Sequence, residues 1–394
     1  MILTAKQEEG LKIAVQRHRA GEKYTVISGY AGTGKSTLVK FIIEALDVEK
    51  SRVCYATFTG KAAEVLRKKG NDNARTLHKL LYDHFPRPGG GFFRKPKPVL
   101  EYDIVVIDEV SMAPKDMMDL LFTHKCYVIC LGDPFQIPPI DKDKDNHLLD
   151  HPHVFLDEIM RQAAESEIIR LSMDIRQMKS LKTFMGEQLR VLDKKDFDPY
   201  MMTWADQVIA ATNPTRKQLN TQMRQMYGRN PAGPEEGDKV ICLRNYWEDL
   251  SDDGNALVNG TIGYLQAPID RIVRVPPYTP VQKNSFEAIQ ASIRTEEGDI
   301  YSDLLLDKNM LLNGEKTLDW RDAYTLGKMK QKIGDIVPKE IDYGYVITGH
   351  KAQGSEWDKV LLLEENFPFI GEEHARWLYT GVTRAAEKLV LLRR

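Results

Sequence analysis

Gly29, Gly32, Gly34, Lys35 and Ser36 stand in GYAGTGKS (29–36) at the spacing G-x-x-x-x-G-K-[ST]. Glycines let the backbone curl until its N–H groups face one point. A helix opening at the lysine adds the positive end of its dipole, and both favour a phosphate. Lys35 is placed to reach β and γ phosphates and Ser36 to ligate Mg²⁺, with Ala31, Thr33 and Thr37 completing the cradle. Downstream, IVVIDEVSM (104–112) ends an apolar run on Asp108 and Glu109. Asp108 can hold Mg²⁺ through water, and Glu109 can orient and deprotonate an attacking water. Together these residues spell hydrolysis of ATP.

Two further segments carry polar groups on stiff loops. In LGDPFQIPP (131–139) a buried run ends on Asp133 and Gln136 among three prolines. A tight turn alone explains Asp-Pro. Beside a phosphate site, however, the loop delivers Gln136 to the γ-phosphate, where an amide can report whether that phosphate is present. Near the C-terminus, VITGHKAQGSEWDKVLLL (346–363) places Thr348, His350, Lys351, Gln353 and Ser355 between two apolar runs; Gly354 and Glu356 of this loop are assigned to the nucleotide. WLYTGVTRAAEKLVLL (377–392) puts Arg384 on a helix just before the last strand. An arginine entering from across a cleft stabilises charge on a transferring phosphoryl group, a factor of about 10³–10⁵ in rate.

The elements that must position these residues are legible in outline. Residues 24–150 alternate β-branched runs (YTVISG, RVCYAT, YDIVVIDE, KCYVICLGD) with amphipathic helices (KSTLVKFIIEAL, TGKAAEVLRKKG), the rhythm of a parallel α/β sheet. RPGGGFFRKPKP (87–98) interrupts it with glycine, proline and four cations. From 158 to 200 the pattern reads as helical, then DQVIAATN restarts strand and helix. Residues 232–340 contain two short antiparallel runs, GDKVICLRN and LVNGTIGYL, and then a polar tract (266–340) without a clear pattern. The α/β rhythm returns at 342, with a helix around 372–386. The 394 residues are 42% hydrophobic and carry a net charge of −2, so any polyanion site must be local. Four cysteines, among them Cys126 and Cys130 within one apolar run, lack the spacing of a metal site. The N-terminus shows no signal peptide and no apolar run reaches membrane-spanning length, which together with reduced thiols leads us to expect a cytoplasmic protein.

In order along the chain these segments resemble the motifs of superfamily 1B helicases, the RecD-type and phage Dda-type group. LTAKQ (3–7) resembles the adenine-reading motif with Gln7 as reader, and GYAGTGKST resembles motif I. ATFTGKAAEVL (56–66) resembles motif Ia and ARTLHKLL (74–81) the Thr-x-His motif. IDEVSM, LGDPFQIPP and EIMRQ (158–162) resemble motifs II, III and IV; the two C-terminal segments resemble V and VI. The resemblance implies two RecA-like lobes: 1A over 1–81 and 101–157, and 2A over 158–231 and 341–394. A small 1B pin would occupy 82–100, and a β-rich, SH3-like 2B insertion 232–340. It implies ATP with Mg²⁺ in the cleft, Arg161 as a second phosphate-contacting arginine, and 5′-to-3′ movement along single-stranded DNA. Thr57, Phe58, Lys61, Thr76 and His78 would grip the strand on the first lobe, and Thr348, His350 and Lys351 on the second. Phe92 and Phe93 would form the tip of the pin at a duplex junction, at least one of them exposed. The chain is short for a RecD-type protein and closer to the stand-alone phage motor, expected monomeric, with replication, repair or recombination proteins as partners. A translocase that unwinds poorly, or an ATP-switched binding subunit, remain alternative readings, and the residues alone leave DNA against RNA open.

Overall fold

The computed structural model describes residues 3–86, 92–138, 146–160, 164–281, 283–365 and 370–393. They form two compact units, one of Met1–Leu81, Lys97–Asn213 and Ile347–Arg394, the other of Tyr82–Pro96 and Pro214–Val346.

The first unit holds two six-stranded sheets. The first runs in the order Arg75–Thr76, Val53–Thr57, Ile104–Ile107, Tyr127–Gly132, Tyr24–Gly29, Val154–Leu156, and every pairing is parallel. Its strands are near-continuous apolar runs because both faces are covered, as a parallel sheet requires. Val26, Ile27, Ile104, Val106 and Ile129 are buried on it, and the helix Lys35–Ala45 adds Leu38, Val39 and Ile42. Parallel strands send their carboxyl ends to one edge. That edge releases the phosphate loop after Gly29, Asp108 and Glu109 after Ile107, and the proline-rich exit loop after Gly132.

The second sheet runs Val346–Thr348, Gln207–Ala210, Trp357–Leu363, Ala385–Arg393, Leu189–Asp193, Phe184–Met185. The 158–200 interval departs from the helical expectation. Among the described residues its longest helix is Glu167–Arg176, and Leu189–Asp193 is a strand in which Leu189 and Val191 are buried and Arg190 is exposed. That alternation has period two, which a search for helical spacing passes over. The C-terminal helix also stops earlier than expected, at Val382, so Arg384 lies in the turn before the last strand.

In the second unit, Ile300–Asp307, Ser285–Thr295, Ile262–Arg274, Lys239–Cys242 and Ile341–Tyr343 form an antiparallel sheet in that order. The 266–340 tract is therefore structured. A long hairpin pairs Ile262–Arg274 with Ser285–Thr295, and the helix Trp320–Ile333 follows. Leu318 and Leu326 pack with Val275, Phe286 and Ala288. Tyr82–Pro86 and Phe92–Pro96 form a separate hairpin with Phe85 opposite Phe93. Those two rings stack with centroids 5.4 Å apart and stay two-fifths exposed. Arg94 lies 4.7 Å from the centre of the Tyr82 ring and 5.2 Å from that of Trp247. No described helix is long and apolar enough to cross a membrane.

Candidate active site

A cavity of about 590 Å³ opens where the carboxyl edge of the first sheet meets the loops of the second. The first sheet brings Lys35, Ser36, Asp108, Glu109 and Gln136 to it; the second brings Gly354, Ser355, Glu356 and Arg384.

The phosphate loop turns through glycines that only glycine can satisfy. Gly34 has φ 78°, and a Cβ there would meet Met160 Sδ at 2.4 Å and Gln7 Nε2 at 2.5 Å. Lys35 Nζ donates to the carbonyls of Gly29 (2.7 Å) and Tyr30 (3.1 Å). Gln7, expected to read adenine, is buried, and both ends of its amide are committed within the chain. Its Nε2 donates to the Thr33 carbonyl (3.2 Å) and its Oε1 accepts from Thr4 N–H (3.0 Å), within a capping box. In this structure Gln7 ties the first helix to the phosphate loop.

Glu109 leaves its strand at φ 52°, a left-handed conformation that costs a non-glycine residue energy and is concentrated at functional sites. Its Oε1 accepts from Gln136 Nε2 (3.3 Å) and lies 3.8 Å from an Arg384 guanidinium nitrogen. Arg384 is buried. It donates to the carbonyls of Thr380 and Ser355, 3.1 Å each, and to Thr383 Oγ1 at 3.2 Å. The exit loop and the second sheet thus converge on one carboxylate. Burial, then the neighbouring Glu109 charge, pushes Asp108 up to about 6, against the pull of Lys35. Ser36 and Asp108 present hydroxyl and carboxylate oxygens to the cavity, the donor type that Mg²⁺ takes.

Sequence reading missed a second convergence. Ala31 N–H donates to Tyr379 Oη (2.8 Å), and Tyr379 donates to Asp133 Oδ2 (2.6 Å). Asp133 Oδ1 accepts from Phe135 N–H (2.9 Å). Beside it, Ile137 N–H donates to Thr380 Oγ1 (2.9 Å), Arg376 donates to the Pro134 carbonyl (3.0 Å), and Gln353 donates to the Ile137 carbonyl. Asp133, Gln353, Tyr379 and Thr380 all lie inside motif-like segments, but only the packing of the two sheets shows what they bond.

The strand-gripping residues fare unevenly. Thr57, Thr76 and His78, expected to grip a strand, are buried. Thr57 Oγ1 donates to the Thr59 carbonyl (2.9 Å), and Thr76 Oγ1 caps the helix Leu77–Leu81 by accepting Lys79 N–H (3.2 Å). Phe58 is half-buried, and the Lys61 ammonium sits 4.4 Å from the Trp357 ring centre. Thr348, His350 and Lys351 lie half-buried at the turn Gly349–Ala352, where burial and then the Lys351 charge lower the pKa of His350. Glu356 pairs with Lys69 at 3.3 Å. Thr33 is buried in the phosphate loop, and Thr37 is half-buried on the following helix. Arg161 and the Phe92 side chain lie outside the described residues.

Comparison with known proteins places these features together. The AAA domain family matches residues 3–196, and the UvrD-like helicase C-terminal domain family matches residues 343–392. The ATP-dependent RecD2 DNA helicase of Deinococcus radiodurans is 27% identical over 379 residues, covering 94% of this chain and 47% of that protein. The ATP-dependent DNA helicase dda of Enterobacteria phage T4 is 26% identical over 289 residues, covering 64% of this chain and 63% of the relative. The chain thus spans about half the length of the Deinococcus relative. Among solved structures, the Pif1 helicase from Bacteroides in complex with ADP-AlF3 and ssDNA superposes with a TM-score of 0.50 at 18% identity, over 99% of this chain and 92% of the other. At that identity the likeness speaks for the fold alone, two RecA-like lobes.

Proposed function

We propose that this chain, which belongs to the superfamily 1B helicases, is an ATP-hydrolysing DNA helicase that moves 5′ to 3′ on single-stranded DNA and opens duplex ahead of it. The observation that carries this reading is the convergence on Glu109. A carboxylate beside the phosphate loop meets Gln136 from its own sheet and Arg384 from the other. A plain nucleotide-binding switch has no use for that set.

In this reading Glu109 accepts a proton from the water that attacks the γ-phosphorus. Lys35 meets charge on the phosphates from below, and Arg384 meets it from the second sheet. Ser36 and Asp108 would hold Mg²⁺, which supplies further neutralisation of phosphate charge when bound. Gln136 links the γ-phosphate position to the exit loop, and that loop is bonded to the helix Gly371–Val382 through Ile137 and Pro134. Nucleotide state is thereby coupled to the relation between the sheets. Alternating grips on a single strand would turn that coupling into stepping. Phe58 and the Thr348–Lys351 turn are the half-buried groups best placed to take part; stacking and phosphate contact are the chemistry they offer.

The test is ATPase activity with and without single-stranded DNA, together with unwinding of 5′-tailed and 3′-tailed duplexes. Stimulated hydrolysis and unwinding of the 5′-tailed substrate alone are expected. ATP binding without stimulated turnover would make the chain a switch, and unwinding from a 3′ tail would overturn the polarity.

A further inference from the structure

At Tyr379 the phosphate loop, the exit loop and the helix leading to Arg384 share a hydrogen-bond chain. Its ring is almost wholly buried, and Phe135 packs edge-on against it with centroids 5.2 Å apart. Its hydroxyl accepts from Ala31 N–H and donates to Asp133 Oδ2. Both halves of that hydroxyl are therefore committed, the lone pair to the first sheet's phosphate loop and the proton to the first sheet's exit loop. Burial raises the pKa of Tyr379 and the charge of Asp133 raises it further, so it stays a phenol and keeps the proton that the chain needs.

We propose that Tyr379 is a positioning residue for ATP hydrolysis, a latch whose hydroxyl sets the reach of Arg384 and Gln136 to Glu109. Four residues separate Tyr379 from Arg384, and the helix end between them is stiff: Thr383 N–H donates to the Tyr379 carbonyl (3.0 Å), and Arg384 Nε donates to the Thr380 carbonyl (3.1 Å). Two residues separate Asp133 from Gln136, in a loop held at Pro134 by Arg376 and at Ile137 by Thr380 and Gln353. Displacing the hydroxyl loosens both tethers at their shared root. Within the ATP cradle only the Ala31 N–H is bonded to Tyr379; Lys35 and Ser36 sit on another element, the helix Lys35–Ala45, and Lys35 keeps its own bond to the Gly29 carbonyl. The latch accordingly acts on turnover more than on the affinity for ATP. Asp133 is its obligatory partner: both carboxylate oxygens accept, one from Tyr379 and one from Phe135 N–H, so an asparagine can satisfy only one of the two.

This inference rests on the hydrolytic reading above, and its test separates the two. Tyr379→Phe removes one oxygen and keeps the ring. The expected result is a kcat for DNA-stimulated ATP hydrolysis lowered about tenfold or more, as misplacement of reacting groups produces, with KM for ATP changed much less than kcat because Lys35 and Ser36 do not depend on the hydroxyl. Asp133→Asn should behave alike, and the double variant should be no worse than the more damaged single one. Fully additive losses, a loss confined to KM, or an unchanged kcat would overturn the latch. Failure of the wild-type chain to hydrolyse ATP would instead remove the hydrolytic reading. Hydrogen exchange of the Ala31 amide in the nucleotide-free chain then decides the latch by itself: it should quicken in Tyr379→Phe, and an unchanged rate rejects the proposal.

Discussion

The proposed hydrolysis turns on Glu109, and its neutral isostere isolates that role. Glu109→Gln keeps the shape that fills the cavity but cannot take a proton. ATP binding, read with a fluorescent analogue, should persist, while turnover falls by about 10²–10⁴, the usual worth of a general base. A wild-type rate would remove Glu109 as the base. Gln136 sits one bond further out, at 3.3 Å from the carboxylate. Gln136→Ala should preserve ATP binding and single-strand binding and weaken the stimulation of one by the other; an unchanged degree of DNA stimulation would return the loop to a simple turn. At this scale the sequence was legible wherever chemistry requires fixed residues at fixed spacing. Lys35, Asp108, Glu109 and Arg384 all reach one cavity. It was silent where a common residue takes its meaning from a distant partner. Nothing local marks Tyr379 as the acceptor for Ala31, 348 positions away. Thr57 and Thr76 show a related ambiguity: hydroxyls suit phosphates, but they also satisfy loops and helix caps, and both make such bonds here.

Among the elements, the hairpin Tyr82–Pro86 and Phe92–Pro96 has the clearest separable task. Its glycines and prolines announced a turn, and alternation along the strand implied that one phenylalanine would be exposed. Phe93 is exposed, and its ring stacks on Phe85, a partner invisible until the cross-strand register is known. A stacked, exposed aromatic pair is an unusual surface feature and suits contact with a base at a junction. Arg94 serves a different end, held between the rings of Tyr82 and Trp247 so that it braces the hairpin. Opening each base-pair step works against stacking of about 1.4 kcal/mol, and no residue of this hairpin lines the cavity proposed for hydrolysis. Phe85→Ala with Phe93→Ala should therefore lower duplex unwinding well below wild type and leave DNA-stimulated ATPase largely intact. Equal loss of both activities would make the pair a support of the fold, and full unwinding would end the assignment. The 266–340 tract was illegible for a physical reason. Its long strand Ile262–Arg274 leaves most of its second half exposed and shifts register against Ser285–Thr295, so no clean period survives in the sequence.

For the molecule as a whole, the stability of the second unit and the chemistry of the first have separate determinants. The net charge of −2 hides a buried cationic anchor in the second unit. Asp238 is fully buried, and Arg224 reaches it through Nε (3.1 Å) and a terminal nitrogen (3.0 Å). Tyr345 Oη (2.9 Å) and Glu235 N–H (2.8 Å) donate to the same carboxylate. These bonds join the helix Asn213–Met226 to the chain entering the strand Lys239–Cys242 and to the chain leaving the strand Ile341–Tyr343, the two crossings that frame the insertion. Replacing one partner leaves a buried guanidinium without its counter-charge, at a cost of about 3–5 kcal/mol. Asp238→Asn should accordingly lower the unfolding midpoint of the second unit in a denaturant titration. A nonhydrolysable ATP analogue binds a cavity lined wholly by the first unit, so at about 100 times its Kd it should stabilise that unit by about 2.7 kcal/mol. That stabilisation should be the same in Asp238→Asn as in wild type, because no group of the Asp238 network lines the cavity. Loss of analogue binding in the variant would show that the nucleotide site depends on the insertion, and an unchanged midpoint would show that the buried pair is not what secures it.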